Sequence, residues 1–301
     1  VEKHGLDLDY DEITEMWKKH INRKIWVANR TARNLMDEGL VAPDTGSKEN
    51  NRHWFQIDPQ LVNEIWSAFY PGMTRQAAAR AQWGARITND DWGTHATVAY
   101  AVIYSGAFFE KDMEKLVAMA TDTVPNEGPF AEGIRDVIRW HKQYPDWRDT
   151  RKKIHEKYYR YKKGSYEAPV SVVSSLQNGL CGIMAMLYGQ GDFTKTVGIA
   201  VSAGYDCDNQ ASTCGGLMGV LNGGDCIPDV FTKECLFGNR KWSKPFNDRY
   251  INFSRDHLPI DNRISDLVER TAAIAEEAIL AGGGRKIDED GEVVYIVNCD
   301  F

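Results

Sequence analysis

A mainly α-helical orthogonal bundle with a small C-terminal β-hairpin is the fold class this sequence predicts. Three observations carry the prediction. Apolar residues recur at three- and four-residue spacing through most of the chain. The stretch THATVAYAVIYSGAFF (94–109) is apolar nearly all round, as in a helix at a bundle centre. The helical pattern then stops at Gly282 to Gly284, ahead of a tail, RKIDEDGEVVYIV, that turns at Asp290-Gly291 as a hairpin does.

The elements follow in order. DYDEITEMWKKHI (9–21) opens on acidic residues and sets Ile13, Met16, Trp17 and Ile21 on one face. DPQLVNEIWSAF (58–69) offers Asp58 as cap, Pro59 at the first helical position, and Leu61, Ile65 and Phe69 four apart. PGMTRQAAARAQWGA adds a helix after a Pro-Gly turn, and 94–109 follows it. GPFAEGIRDVIRWHKQY, SVVSSLQNGLCGIMAMLYG (171–189) and FTKTVGIAVSAG (193–204) continue the pattern. The β-branched run at 170–175 suggests a strand by itself, but Leu176, Leu180, Ile183, Met184 and Leu187 extend it as a helix. Residues 39–52 and 224–262 are loops rich in Gly, Asn and Pro. The last helix is DLVERTAAIAEEAILAGG, and no repeat or disordered tract interrupts the series.

The chain has 301 residues, 43% hydrophobic and 26% charged, which suits a globular protein with a substantial core. A formal charge of −7 argues against bulk attraction to nucleic acid. No apolar run reaches the roughly 18–20 residues a membrane span needs. Six cysteines without CxxC pairs or zinc-like spacing read as free, mostly buried thiols, which favours a reducing, cytoplasmic setting. RKKIHEKYYRYKK (151–163) has the basic and aromatic mix of a polyanion surface, yet the same mix makes a solvated helix, the reading preferred here. Trp54 and Phe55 are core candidates before they are stacking residues. GQGD (189–192) is a turn, because no strand precedes it.

The chemistry concentrates in GYDCDNQASTCGGLMGVLNG (204–223). Asp206 and Asp208 stand before a helix spaced by Ala211, Leu217, Met218 and Leu221. Gly215, Gly216 and Gly219 remove bulk, so that another backbone approaches closely. One aspartate suffices to cap a helix. Two, followed by Asn209, either form a doubly acidic cap or converge on a hard cation, whose preferred ligands are such oxygens. The sequence does not extend to a calcium loop, since Gln210-Ala211 replaces the Asp-Gly that loop requires. Thr88-Asn89-Asp90-Asp91 with His95 is a second polar cluster, either a turn and cap for the helix from Thr94 or the lining of a pocket.

LYGQGDFTKTVGIAVSAGYDCDNQASTCGGLMGVLNG resembles the C-terminal signature of the ADP-ribosylglycohydrolase family. The stretch from IDPQLVNEIW through TNDDWGTHATVAYAVIYSGAFF resembles a family segment with a pocket-lining loop, and GEVVYIV resembles the family's end. The resemblance runs from about residue 5 to the C-terminus, patchily across 145–165 and 235–260. It implies an all-α fold with a cleft for ADP-ribose and two Mg²⁺ or Mn²⁺ ions. Asp206 and Asp208 match the family's C-terminal metal carboxylates, and Asn209 stands where many members have threonine. Thr88, Asn89 and His95 fall in the substrate-binding loop. The family's first metal cluster, Thr-Asp-Asp-Thr, is not found, and the context of residues 88–91 is not its context. The expectation is therefore a single domain over residues 1–301 lacking its N-terminal helices, or else a member that rebuilt the site.

The function this implies is metal-dependent removal of ADP-ribose from protein side chains or small ADP-ribose conjugates, by a monomer. Asp206 and Asp208 act through the metal, and Asp90 or Asp91 is the reserve acid/base, since the motif that supplies one is missing. The alternative is a non-catalytic ADP-ribose-binding or structural protein on the same fold. A helical polyanion-binding scaffold is contradicted by the net acidity.

Overall fold

The computed structural model describes residues 1–232 and 248–301. Cys235 and residues 233–247 of the 224–262 tract assigned above as loop lie outside the described residues. Thirteen α-helices and three two-stranded antiparallel sheets are found among them. The helices are α1 (Tyr10–His20), α2 (Val27–Asp37), α3 (Glu64–Phe69), α4 (Thr74–Ala85), α5 (His95–Ala107), α6 (Met113–Thr121), α7 (Pro129–Gln143), α8 (Trp147–Tyr158), α9 (Ser175–Gly189), α10 (Phe193–Ser202), α11 (Cys207–Asn222), α12 (Asp229–Thr232) and α13 (Ile264–Ala281). The strands are β1 (Lys162–Lys163), β2 (Tyr166–Glu167), β3 (Arg249–Ile251), β4 (Asp261–Arg263), β5 (Arg285–Glu289) and β6 (Glu292–Ile296).

Helices α5 and α9 are buried along their whole lengths, as an all-round apolar pattern requires. Phe130 and Ile134 of α7 and Cys214, Leu217 and Met218 of α11 complete the core around them. The tail hairpin turns at Asp290 and Gly291, both at positive φ (54° and 86°), as a two-residue primed turn demands. No helix among the described residues is long and apolar enough to cross a membrane.

Two predicted helices are shorter than their sequence pattern, each for a tertiary reason. The 58–69 helix divides into a 3₁₀ turn, Asp58–Leu61, and α3. At the break, Asn63 Nδ2 donates to Pro59 O at 2.7 Å and shares that carbonyl with the backbone Asn63 N–H at 3.2 Å. Residues 171–174 form a turn, Ser174 N donating to Ser171 O at 3.4 Å, and α9 begins only at Ser175. Ile57 N donates to Val173 O and Ser175 N to Phe55 O, both at 3.0 Å, so the β-branched run pairs with residues 55–57 before the helix starts. Inside the 224–262 tract, α12 and the β3–β4 pair are ordered elements that the loop expectation omitted.

The glycines of α11 also behave differently from expectation. A Cβ on Gly216 would lie 2.8 Å from the Tyr104 hydroxyl, whereas Gly215 meets only ordinary contacts and Gly219 open space. The close approach is made instead by Gly182 of α9, where a Cβ would lie 2.0 Å from Tyr100 Oη and 2.3 Å from Gln210 Oε1.

The basic run 151–163 is committed to internal pairs. Lys157 bridges Glu132 and Asp136, Lys163 reaches Glu132, Lys153 meets Glu156 and Lys162 meets Glu167. Tyr158 and Tyr161 are buried in the core. Phe55 is buried as well, with Trp54 packed edge-on against it and Trp92. The five described cysteines, 181, 207, 214, 226 and 299, are free thiols.

Candidate functional site

The chain leaves α10 through Gly204 and Tyr205, both left-handed (φ 77° and 62°), and this reversal delivers Asp206 and Asp208 to one cavity. A tyrosine in that conformation is strained by about 1 kcal/mol or more. It is held by Arg151, whose guanidinium lies 4.1 Å from the ring centroid, and by His155 Nδ1, 2.6 Å from its hydroxyl. Asn178 of α9 fixes the next residue. Its Oδ1 accepts Asp206 N at 2.9 Å while its Nδ2 donates to Val172 O and Ser174 O, each at 2.8 Å.

Asp206 occupies the N-cap position of α11, yet its side chain makes no capping hydrogen bond. Its carboxyl is left to the cavity. That cavity, about 370 Å³, is lined by Asp206, Asp208, Asn209, Gln56, Asp58 and Ile57, with Trp26, Val27, Leu61 and Val173 as apolar walls. Trp26 stands at its rim, 72% exposed.

Asp58 is the residue that sequence reasoning assigned elsewhere. It is almost fully buried, at 4% exposure, and it does not cap its own helix. Its Oδ1 accepts Asn29 N at 3.2 Å, at the start of α2, where the N-cap residue Trp26 offers no side-chain acceptor. Burial raises the Asp58 carboxyl above the usual range, opposed by these backbone N–H groups. Asp206 is pushed up to about 6, first by desolvation, then by Asp208 and by Asp58. Three carboxylates thus repel one another across one cavity. Two neighbouring side chains have buried polar atoms with no hydrogen-bond partner among the described residues, Asn209 Nδ2 and Gln56 Oε1.

The donor chemistry fits a hard divalent cation. Mg²⁺ retains several waters and takes one or two carboxylates, which Asp206 and Asp208 supply. Among the described residues no three His, Cys, Asp or Glu side chains converge at ligand spacing, so an ion held here would draw on this pair and on water.

The second polar cluster sits behind the cavity wall. Thr88 Oγ1 donates to Asn89 Oδ1 at 2.9 Å, and Asn89 Nδ2 donates to Gln56 O at 2.6 Å. Asn89 therefore touches the backbone of a cavity-lining residue from its far side. Asp90 Oδ1 accepts Asp91 N at 2.8 Å, capping a 3₁₀ turn, Asp91–Thr94, and its Oδ2 accepts Lys48 N at 3.2 Å. Asp91 pairs with the Lys48 ammonium. His95 is buried at the start of α5, its Nδ1 without a partner among the described residues, and desolvation lowers it to about 4, with Asp91 opposing. None of the five lines the Asp206 cavity.

A larger apolar groove, about 720 Å³, lies between α13, the tail hairpin and Phe108 and Phe109. It shares no residue with the acidic cavity, and Glu276 is its one carboxylate. Charged-group chemistry belongs to the smaller cavity.

The profile of the family described as ADP-ribosylglycohydrolase matches residues 5–259, which include every cavity residue and end before α13. No curated protein and no solved structure matches the chain.

Proposed function

The chain belongs to the ADP-ribosylglycohydrolase family, and from that premise we propose that it is a metal-dependent hydrolase releasing ADP-ribose from protein side chains or small ADP-ribose conjugates. One observation carries the proposal. Asp206 and Asp208 enter a cavity together, and the carboxyl placed to cap α11 is not spent on capping. In this reading they hold the Mg²⁺ or Mn²⁺, two ions as the family resemblance implies, with Asn209 beside them. A bound ion supplies Lewis acidity and neutralises the crowded carboxylates.

The chain's own residues do the rest. As the glycosidic bond breaks, positive charge grows on the ribose ring, and carboxylates beside the ring stabilise it. Val27, Leu61 and Val173 keep the walls dry, and the open face of Trp26 offers a flat surface to a base. Asp90 or Asp91, the reserve acid/base, would have to leave the 3₁₀ cap or the Lys48 pair to reach the cavity; an Asp90→Asn, Asp91→Asn double variant tests them through its effect on release. We take residues 1–301 as a single domain, whose main buried cluster joins α5 to α11 with two smaller ones beside it. A cytoplasmic monomer is the accompanying assignment.

The test is chromatography of ADP-ribose released from ADP-ribosylated protein, with Mg²⁺ and with chelator. Chelator-sensitive release that Asp206→Asn abolishes supports the hydrolase. ADP-ribose binding without release under any metal condition supports the binding-protein alternative.

A further inference from the structure

Glu64, at the start of α3, is a half-buried residue whose desolvated carboxyl the proposed chemistry does not use. Its partner is the Thr213 hydroxyl, one turn along α11 from Asn209. Thr213 Oγ1 also lies 3.5 Å from Asn209 Oδ1. The three side chains form a line from the core to the cavity: Glu64, Thr213, Asn209. Tyr104 Oη donates to Thr213 O from α5, which holds this turn of α11 in place.

We propose that Glu64 is a positioning residue that, through Thr213, decides which end of the Asn209 carboxamide faces the Asp206–Asp208 cavity. The argument is a count of protons. The Thr213 hydroxyl has one proton to give. When Glu64 is protonated it donates to Thr213 Oγ1, and Thr213 then donates to Asn209 Oδ1. The amide nitrogen is left to the cavity, where it offers a hydrogen-bond donor to a ligand hydroxyl. When Glu64 is ionised it accepts a hydrogen bond from the Thr213 hydroxyl, and Thr213 Oγ1 can only accept, from Asn209 Nδ2. The amide turns over and presents its oxygen to a cation. Ionisation releases one proton from Glu64 to solvent; Thr213 keeps its own proton throughout and only changes the partner it donates to.

In the structure Asn209 has the orientation of the first arrangement, with Oδ1 toward Thr213 and Nδ2 without a partner among the described residues, while the Thr213 hydroxyl, with its single proton, lies within reach of both Glu64 Oε1 and Asn209 Oδ1. The groups facing Glu64 are consistent with it. Tyr100 and Tyr104 of α5 and Cys214 of α11 interact with it electrostatically, all neutral groups that its charge raises further. Only the Thr213 hydrogen bond opposes burial, which lifts Glu64 to about 7; no cation contributes.

The inference rests on the proposed function only in taking the cavity as the ligand site, and its test needs no hydrolysis. The ¹⁵N–¹H signals of the Asn209 side-chain amide, assigned by their loss in Asn209→Ser, are followed from pH 5.5 to 8.5 on the whole chain. In the wild type they should shift through two transitions, one at about 6 from the neighbouring Asp206 and one at about 7 from Glu64; Asp206→Asn should remove only the first, and Thr213→Ser should keep the second. In Glu64→Gln and in Thr213→Val the second transition should vanish, because the titrating group or the relay is gone. A second transition that persists in both variants, or that is missing from the wild type and from Asp206→Asn, overturns the proposal. Hydrolytic activity lost in all variants while the amide transition behaves as stated would fault the function and leave Glu64 in its role.

Discussion

Asp58 Oδ1 accepts the backbone N–H of Asn29 at 3.2 Å, and through this one bond a carboxylate of the acidic cavity caps the helix on its opposite wall. The bond gives Asp58 two separable roles. Its oxygen stabilises α2, and its charge raises Asp206.

Substitution separates them. Asp58→Ala removes the cap and should cost about 1–2 kcal/mol of stability, read as a lower urea midpoint with unchanged slope. Asp58→Asn keeps an acceptor for Asn29 and should cost much less. It also removes one of three crowded carboxylates, so an ion that draws on Asp58 should bind more weakly in that variant. Equal stability loss in both variants would mean the charge, not the cap, matters to the fold.

The metal assignment has its own measurement. Calorimetric titration of Mn²⁺ into Asp206→Ala should show affinity lowered at least about tenfold, since a carboxylate ligand is lost from a site that has two. Affinity equal to wild type would remove the aspartate pair from the ion's ligands.

Glu64 predicts how stability depends on pH. Its folded value, about 7, lies above its ordinary value, so the stabilisation is fully present below about 4.5 and is lost as pH rises through 7. At pH 8 the buried charge should cost on the order of 3 kcal/mol relative to acid. Glu64→Gln should therefore gain on wild type between pH 6 and 8 in denaturant midpoints and match it near pH 5. An identical pH profile for the two proteins would place the carboxylate in solvent.

The end of the chain contributes through α4. Asp300 Oδ1 accepts Thr74 N at 2.8 Å and Thr74 Oγ1 at 2.6 Å, and its Oδ2 accepts Arg75 N at 3.0 Å, so a residue of the tail caps a helix from outside. Asp300→Ala should lower stability by about 1 kcal/mol, a shift of a few degrees or less in Tm for a chain of this size. Because α4 leads into Thr88 and Asn89, hydrogen exchange at the α4 N-terminus should rise in the same variant. Unchanged exchange there would mean that solvent replaces the cap without loss.

What the sequence determined by itself is the set of helices and the location of the chemistry. Periodicity marked α1, α4, α5, α7, α10, α11 and α13 because an amphipathic or all-apolar face is a local property. The Asp206–Asp208 spacing marked the acidic end of α11 in the same way. Helices α2 and α6 were not read from the sequence, although Ala28, Ala32 and Met36 mark one face of α2 and Asp112 caps α6. Tertiary structure decided what each face and each carboxyl meets. Asp58 was legible as a cap, but its helix is α2, because the segment 55–57 pairs with 173–175 and turns the aspartate toward Asn29. Glu64 carried no signal in the sequence; its carboxyl is desolvated because α3 packs against Thr213. A buried carboxyl is stable only with partners that replace water, and those partners arrive from distant segments. Local pattern fixes which side of a helix is hidden; only packing fixes who stands on the other side.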